Sequence, residues 1–477
     1  MTQCSTQRID CKRLGRRTVV ADFTGGEIAS DAGAVLLEKA DQGARLTERF
    51  AACFTDHRDP ALVEHPVPAL VRQRAYALAL GYEDLTDHDE LSRDPLLATV
   101  VGKTDPEGQA RVRERDKGRA LAGKSTLNRL ELTPAGAAAT ARYKKVELDF
   151  AAAERAFVEA FLDSRDEPPA ELVLDFDATD DPLHGRQEGR FFHGYYRHYC
   201  YLPLYVFCGD EILVALLRPA NLDASAGTED VLAWLVPMIR ERWPHVRIIV
   251  RGDSGFARDA IMAWCEAHGV HYVFGLARNT RLTAALADDL AAARSQCDAT
   301  GEAARRFKDF RYRTLDSWSR ERRVVGKAEH LPGGPNPRFV VTSLATDAWD
   351  ARALYEALYC ARGEMENRIK EQQLYLFADR TSAATLRANQ IRLWFSALAY
   401  SLLQTLRRVG LAGTQLARAR CDTIRLKLLK IGAAIRVTVR RVSVAMATSY
   451  PYQALFRTVW HRLIRYARRQ SLHPLQC

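Results

Sequence analysis

Residues 171–217, ELVLDFDATDDPLHGRQEGRFFHGYYRHYCYLPLYVFCGDEILVALL, decide how this chain folds. ELVLDFDAT is a strand, and because strand side chains alternate, Asp175 and Asp177 share one of its faces. YRHYCYLPLYVF and DEILVALL are two further apolar runs, and Cys208-Gly209 between them marks a hairpin. Outward from there, helical spacing runs from Glu229 to Arg242, and VRIIVRGD (246–253) is a strand. Arg258–His268 is a helix, and HYVFGLA (271–277) a further strand.

Three strands, helix, strand, helix, strand is the order of a ribonuclease-H-like α/β domain, an antiparallel edge continued by parallel strands joined through crossovers. FKDFRYRTL, RRVVGKAEH and PRFVVTSL then read as strands around the turn-rich LPGGPNP. They suggest a β-rich insertion over 280–344 between a first catalytic part, 165–279, and a second, 345–405. Residues 1–150 read as a mainly helical DNA-binding domain, with helical spacing in 67–85 and a capping-type Ser30-Asp31 ahead of 32–50. The charged, poorly periodic 104–126 is a loop or a DNA-facing arm, and 406–477 a basic helical region for DNA binding or dimerisation.

Charge is unevenly spread. From Ser401 to Cys477 there are fifteen Lys and Arg and one acid, Asp422, whereas the first 400 residues carry 54 bases against 58 acids. A basic tail on a net-acidic body points to a polyanionic partner, nucleic acid first, because neutralising phosphates releases counterions. No apolar run reaches the roughly 18 to 20 residues of a membrane span. The opening MTQCSTQRIDCKRLGRR lacks the apolar core of a signal peptide, so a soluble cytosolic protein is expected. The ten cysteines never form a C-x-x-C pair, which argues against a zinc knuckle or a disulfide framework.

Phosphodiester cleavage needs an activated oxygen nucleophile and a stabilised leaving oxygen, which two Mg²⁺ ions about 4 Å apart can provide. Mg²⁺ takes hard oxygen ligands, so the pattern to seek is three acids from distant elements. Asp175 and Asp177 are the first candidates, since two acids on one side of an apolar strand are costly to bury without a cation. Asp253 lies just beyond the strand in VRIIVRGDSGF, where open α/β sheets place ligand-binding residues. In YCARGEMENRIK (359–370), Tyr359, Arg362, Glu366 and Lys370 step by three or four residues and form one helical stripe. Glu364 falls on nearly the opposite side, which favours Glu366.

The D-x-T strand, the RGDSGF block and the Y-x-x-R-x-x-x-E helix resemble the DDE transposases of bacterial insertion sequences with a Y-R-E signature. Within that group, LDFDATDDPLHGRQEG, RGDSGFAR and YCARGEMENRIKEQ most resemble insertion-sequence family 1380. The resemblance implies that Asp177, Asp253 and Glu366 are both the catalytic residues and the metal ligands, for two Mg²⁺ ions with Mn²⁺ able to substitute. It implies that Tyr359 and Arg362 hold DNA phosphates near the cleaved end. Where the wider signature has a Lys seven residues after the Glu, this chain has Gln373, and Lys370 is the substitute one turn earlier. The resemblance further implies an aromatic in the insertion that stacks a flipped base, for which Trp318 is the candidate, with Arg320, Arg322 and Arg323 suited to phosphates. Its partners would be the terminal inverted repeats and target DNA, its working form a homodimer, and its place the bacterial cytoplasm at the nucleoid.

The expected reaction is metal-dependent cleavage at transposon ends followed by attack of the freed 3′-OH on target DNA. The alternatives are a nuclease of the same fold that cuts without joining, and a catalytically silent repressor derived from a transposase. Two further motifs carry less. Gly118–Ser125 fits the P-loop expression but follows RVRERDK, with no strand before it. His184, His193 and His198 fit no zinc spacing.

Overall fold

A computed structural model describes residues 8–137 and 140–471. The chain forms two compact units, one from residues 149–397 and one from 1–148 together with 398–477.

The first unit is built on a large mixed sheet. Its strands are β1 (Glu171–Ala178), β2 (Leu204–Cys208), β3 (Glu211–Leu216), β4 (Arg247–Gly252), β5 (His271–Leu276), β6 (Ala304–Tyr312), β7 (Arg322–Leu331) and β8 (Arg338–Thr342). They lie in the order β3-β2-β1-β4-β5-β8-β7-β6, with the two-residue strand Gly334–Pro335 on the end of β7. β2 runs antiparallel to β1 and β3, and β4 runs parallel to β1 and β5. Parallel neighbours need a crossover, and α2 (Thr228–Arg242) and α3 (Asp259–Ala267) provide the two that lead into β4 and β5. A further helix, α1 (Phe150–Asp163), precedes β1.

Alternation along the strands gives the sheet two different faces. Leu172, Leu174 and Phe176 of β1, Ile248 and Val250 of β4, and Tyr272 and Phe274 of β5 bury against α1, α2 and α3, through Phe161, Leu235 and Met262 among others. Each such side chain contributes roughly 1.5–3 kcal/mol when fully buried. The opposite face presents Ile249, Val273, Val325 and Val340 to Leu354, Tyr355 and Leu358. The same alternation puts Asp175, Asp177, Arg251 and Gly275 on this second face, so the segment after Leu354 packs over the polar end of the strands.

Residues 280–344, which the sequence suggests as a separate insertion, instead continue the sheet. β8 pairs with β5, and β7 and β6 extend it further. The physical reason is a continuous core, because Val324, Phe339 and Val341 bury in the same cluster as Phe274. Helices Thr280–Ala285 and Ala287–Thr300 separate β5 from β6.

In the second unit the chain's two ends fold together rather than as the separate 1–150 and 406–477 regions suggested by sequence. Ile28–Ala29 pairs with Ala433–Thr438, which pairs in turn with Arg441–Met446. Helix Gln453–Ser471 packs on helix Ala34–Ala44 so closely that a Cβ on Gly43 would lie 2.3 Å from the Tyr466 ring. The tail is therefore not helical throughout. Among the described residues no helix is long and apolar enough to cross a membrane.

Candidate active site

The site begins with the pairing of β1 and β4. Their parallel register sets Arg251 directly across from Asp175. Both side chains are buried, and the guanidinium grips the carboxylate with two prongs, Nη2 at 2.7 Å from Oδ2 and Nε on Oδ1. Arg251 Nη1 also donates to the Leu358 carbonyl, which ties the helical segment to the sheet. The cation required by Asp175 is thus part of the protein.

Asp177, two residues on and on the same face, has no such dedicated partner. Its Oδ1 accepts from the Ala178 N–H at 3.0 Å, and the Arg362 guanidinium stands 3.6 Å from Oδ2. Burial pushes the Asp177 carboxyl up to about 7; Arg362 opposes this, while Asp253 and Glu366 push the same way. Asp177 therefore feels the charge of Asp253 and Glu366 although they lie far from it in the chain.

Asp253 follows β4 and caps the turn Ser254–Phe256, its Oδ1 accepting from the Gly255 N–H at 2.8 Å. On the neighbouring strand, Gly275 leaves room for the Tyr359 hydroxyl, which would lie 2.5 Å from a Cβ at that position. Burial raises the Tyr359 hydroxyl above its ordinary range, and Arg362 counters part of that rise.

The third acid comes from a helix with an uneven pitch. A π-helical turn, Leu354–Tyr359, passes into a tight 3-10 turn, Cys360–Arg362, and then into α4 (Gly363–Leu376). Such wide turns often occur at functional sites. Met365 and Ile369 bury the inner side of α4, leaving Glu366 partly exposed and Glu364 exposed. Arg362 Nη2 reaches Glu366 Oε1 at 2.7 Å, so one guanidinium serves both Asp177 and Glu366. Arg368 fastens α4 to Asp210 in the β2–β3 turn at 2.6 Å. Gln373 donates to the Asp180 carbonyl at 3.0 Å, and Lys370 is exposed. A cleft of about 360 Å³, lined by Asp253, Tyr359, Arg278 and Arg338 among others, opens beside these groups.

Trp318, Arg322 and Arg323 stand differently from the sequence expectation. Trp318 is 3% exposed, edge-on to Tyr312 with Arg322 over its ring, and has no free face for a base. Arg322 is held by Asp259 at 2.6 Å and Glu266 at 2.9 Å, and Arg323 by Asp309 at 2.6 Å. Arg320 pairs with Glu266 at 2.7 Å while remaining largely exposed. These residues hold the β6–β7 region together. Conversely, sequence reasoning passed over Arg251 and Gly275. A basic residue inside the apolar run VRIIVRGD was the available sign for the first, and nothing local signalled the second.

The chain belongs to the transposase DDE domain group 1 family, whose model matches residues 11–468. No curated protein matches it. Among solved structures, a cryo-EM structure of a piggyBac transposase synaptic complex with hairpin DNA is similar at 12% identity and a TM-score of 0.40, over 94% of this chain and 86% of that one.

Asp177, Asp253 and Glu366 are the acids that the sequence puts forward for a divalent ion. Among the described residues no three His, Cys, Asp or Glu side chains stand close enough to grip one ion together. Arg362 is interposed between Asp177 and Glu366. The chemistry of the set nevertheless suits a hard cation, because Asp177 and Glu366 share one guanidinium and Asp253 makes no ion pair with it, which leaves negative charge in excess.

Proposed function

We propose that this transposase cleaves transposon ends and joins the freed 3′-OH to target DNA, with Asp177, Asp253 and Glu366 as its metal-holding carboxylates. The observation that supports the reading is the Arg362 guanidinium held between Asp177, 3.6 Å away, and Glu366, 2.7 Å away, with Asp253 near enough to act on Asp177. The strand order β3-β2-β1-β4-β5 supports a ribonuclease-H-like catalytic core. The sequence motifs favour insertion-sequence family 1380, a cut-and-paste route, the terminal inverted repeats as substrate and a homodimer as the working form.

When bound, Mg²⁺ ions (or Mn²⁺) would supply Lewis-acid activation of the attacking oxygen and neutralise charge on the leaving one. The chain's own groups do the rest. Arg251 neutralises Asp175, so the carboxylates left to bind ions are those beyond it. Arg362, which pairs with Asp177 and Glu366, would turn from them to a scissile-strand phosphate, a bidentate match for a guanidinium. Tyr359, seated over Gly275, orients that phosphate from the cleft side, and Lys370 lies one turn beyond Glu366 on the same stripe.

The test is cleavage of a labelled transposon-end duplex in Mg²⁺ by wild type and Glu366→Gln, with binding followed in parallel. Cutting by wild type alone, at equal binding, is expected. Equal cutting by both would remove Glu366 from the site and bring Glu364 forward. Binding without cutting by either would favour the silent repressor.

A further inference from the structure

Two β-hairpins of the second unit end in the same chemistry. The first pairs Ile9–Leu14 with Arg17–Ala21 and turns through Gly15-Arg16, with Gly15 at a positive φ of +59°. The second pairs Ala433–Thr438 with Arg441–Met446 and turns through Val439-Arg440. Each tip carries an apolar residue beside arginines. Leu14 is 62% exposed and Val439 fully exposed.

The first hairpin bears Lys12, Arg13, Arg16 and Arg17, and the second Arg436, Arg440 and Arg441; all seven are exposed. None of them makes an ion pair among the described residues, although arginines elsewhere in the chain, such as Arg74 with Glu131, are paired. The second hairpin contains no acid, and the first only Asp10. Its inner face packs through Ile435, Val437, Val442 and Val444, so the tip stands clear of the core and the outer face keeps the small residues Ala434, Ser443 and Ala445. The bases of the two hairpins are linked closely in the chain, since Ala21 ends one and Ile28 pairs with Ala434 of the other, and seven residue steps span at most about 25 Å.

We infer that these two hairpins form a paired docking surface for duplex DNA, their basic residues on phosphates and their tips entering the major groove. A two-stranded ribbon fits that groove. Unpaired arginines flanking an apolar tip match a phosphate rim around base edges. The inference rests on the reading of the chain as a transposase acting on DNA, but not on which acids hold metal.

The test uses the full-length protein, EDTA and a fluorescein-labelled 30-base-pair duplex of mixed sequence, with binding measured across a salt series. Each phosphate contact removed lowers the slope of log K against log[salt] by about 0.9. The variant Arg436→Ser/Arg440→Ser/Arg441→Ser should therefore lose about 2.7 of the slope, and Lys12→Ser/Arg13→Ser/Arg16→Ser/Arg17→Ser about 3.6. Leu14→Ser and Val439→Ser should weaken binding at every salt concentration and leave the slope alone. Where a multiple variant melts early, Arg16→Gln and Arg441→Gln should each lower the slope by about one. Wild-type slopes in these variants would overturn the inference, as would no binding of wild type to the duplex. Loss of binding to phosphatidylserine vesicles with duplex binding intact would also overturn it. Cleavage in Mg²⁺ by Glu366→Gln is read separately: if it cuts like wild type while the hairpin variants lose slope, the metal-site reading falls and the docking surface stands.

Discussion

Removing Arg251 tests the separation of Asp175 from the acids proposed to hold metal. Both side chains are almost wholly inaccessible, 9% and 4% exposed, so Arg251→Met would leave a carboxylate buried without its cation. Breaking a buried pair from one side costs about 3–5 kcal/mol. In a unit of this size that lowers the melting temperature by roughly 10 °C. Burial already pushes the Asp175 carboxyl up despite Arg251. The stranded acid will take a proton in the folded state, so the penalty grows as pH rises above the ordinary carboxylate range and vanishes below it. Arg251→Met/Asp175→Leu replaces the pair with apolar groups and should recover most of the loss, because such exchanges are often neutral. A remnant of about 1 kcal/mol is expected from the Leu358 carbonyl, which loses its donor. The assay is thermal unfolding of wild type, both single variants and the double variant at pH 6 and pH 8. Additive losses would refute the pairing as the reason for Asp175. A folded double variant that no longer binds Mn²⁺, with Asp177 intact, would show Asp175 to be a ligand.

Gly275→Ala should place a methyl 2.5 Å from the Tyr359 hydroxyl and 3.0 Å from the Ser254 nitrogen, costing about 1–3 kcal/mol and displacing the ring. Adding Tyr359→Phe removes the clashing oxygen and should recover stability without recovering cleavage; a harmless Gly275→Ala would contradict the close approach. In the other unit, burial lowers His65 and His88 to about 3 each, so the folded state excludes protons that the unfolded chain binds below about 6.5. Stability should be complete above pH 6.5 and fall towards pH 3 by up to about 1.4 kcal/mol per pH unit for each histidine. Urea titrations of His88→Leu between pH 4 and pH 7 should show a shallower acid limb, and an unchanged limb would refute the assignment.

Local pattern made the strands legible. The apolar runs at 171–179, 246–253 and 271–277 became β1, β4 and β5 within a residue or two, and Cys208-Gly209 sits at the turn of the β2–β3 hairpin. Partnership between distant segments was not legible. The strands of 304–342 have a period that could close a small sheet or extend a large one, and only the shared burial of Phe274, Val324 and Val341 decides. Likewise, nothing within 433–438 announces that Ile28–Ala29 will pair with it.

Two aspartates two residues apart on one strand face look alike in sequence, both anomalous in an apolar context. What separates them is the adjacent strand, where the residue opposite Asp175 is Arg251 and the one opposite Phe176 is Gly252, where β4 ends. An acid within the paired part of the sheet acquires a fixed counter-charge from its neighbour. One residue pair beyond that end, Asp177 has no strand residue to neutralise it and shares Arg362 with Glu366. The length of β4 therefore marks the boundary between a structural ion pair and an acid whose charge still calls for a partner, which is why the proposed chemistry belongs at the strand end and the fold at the strand interior.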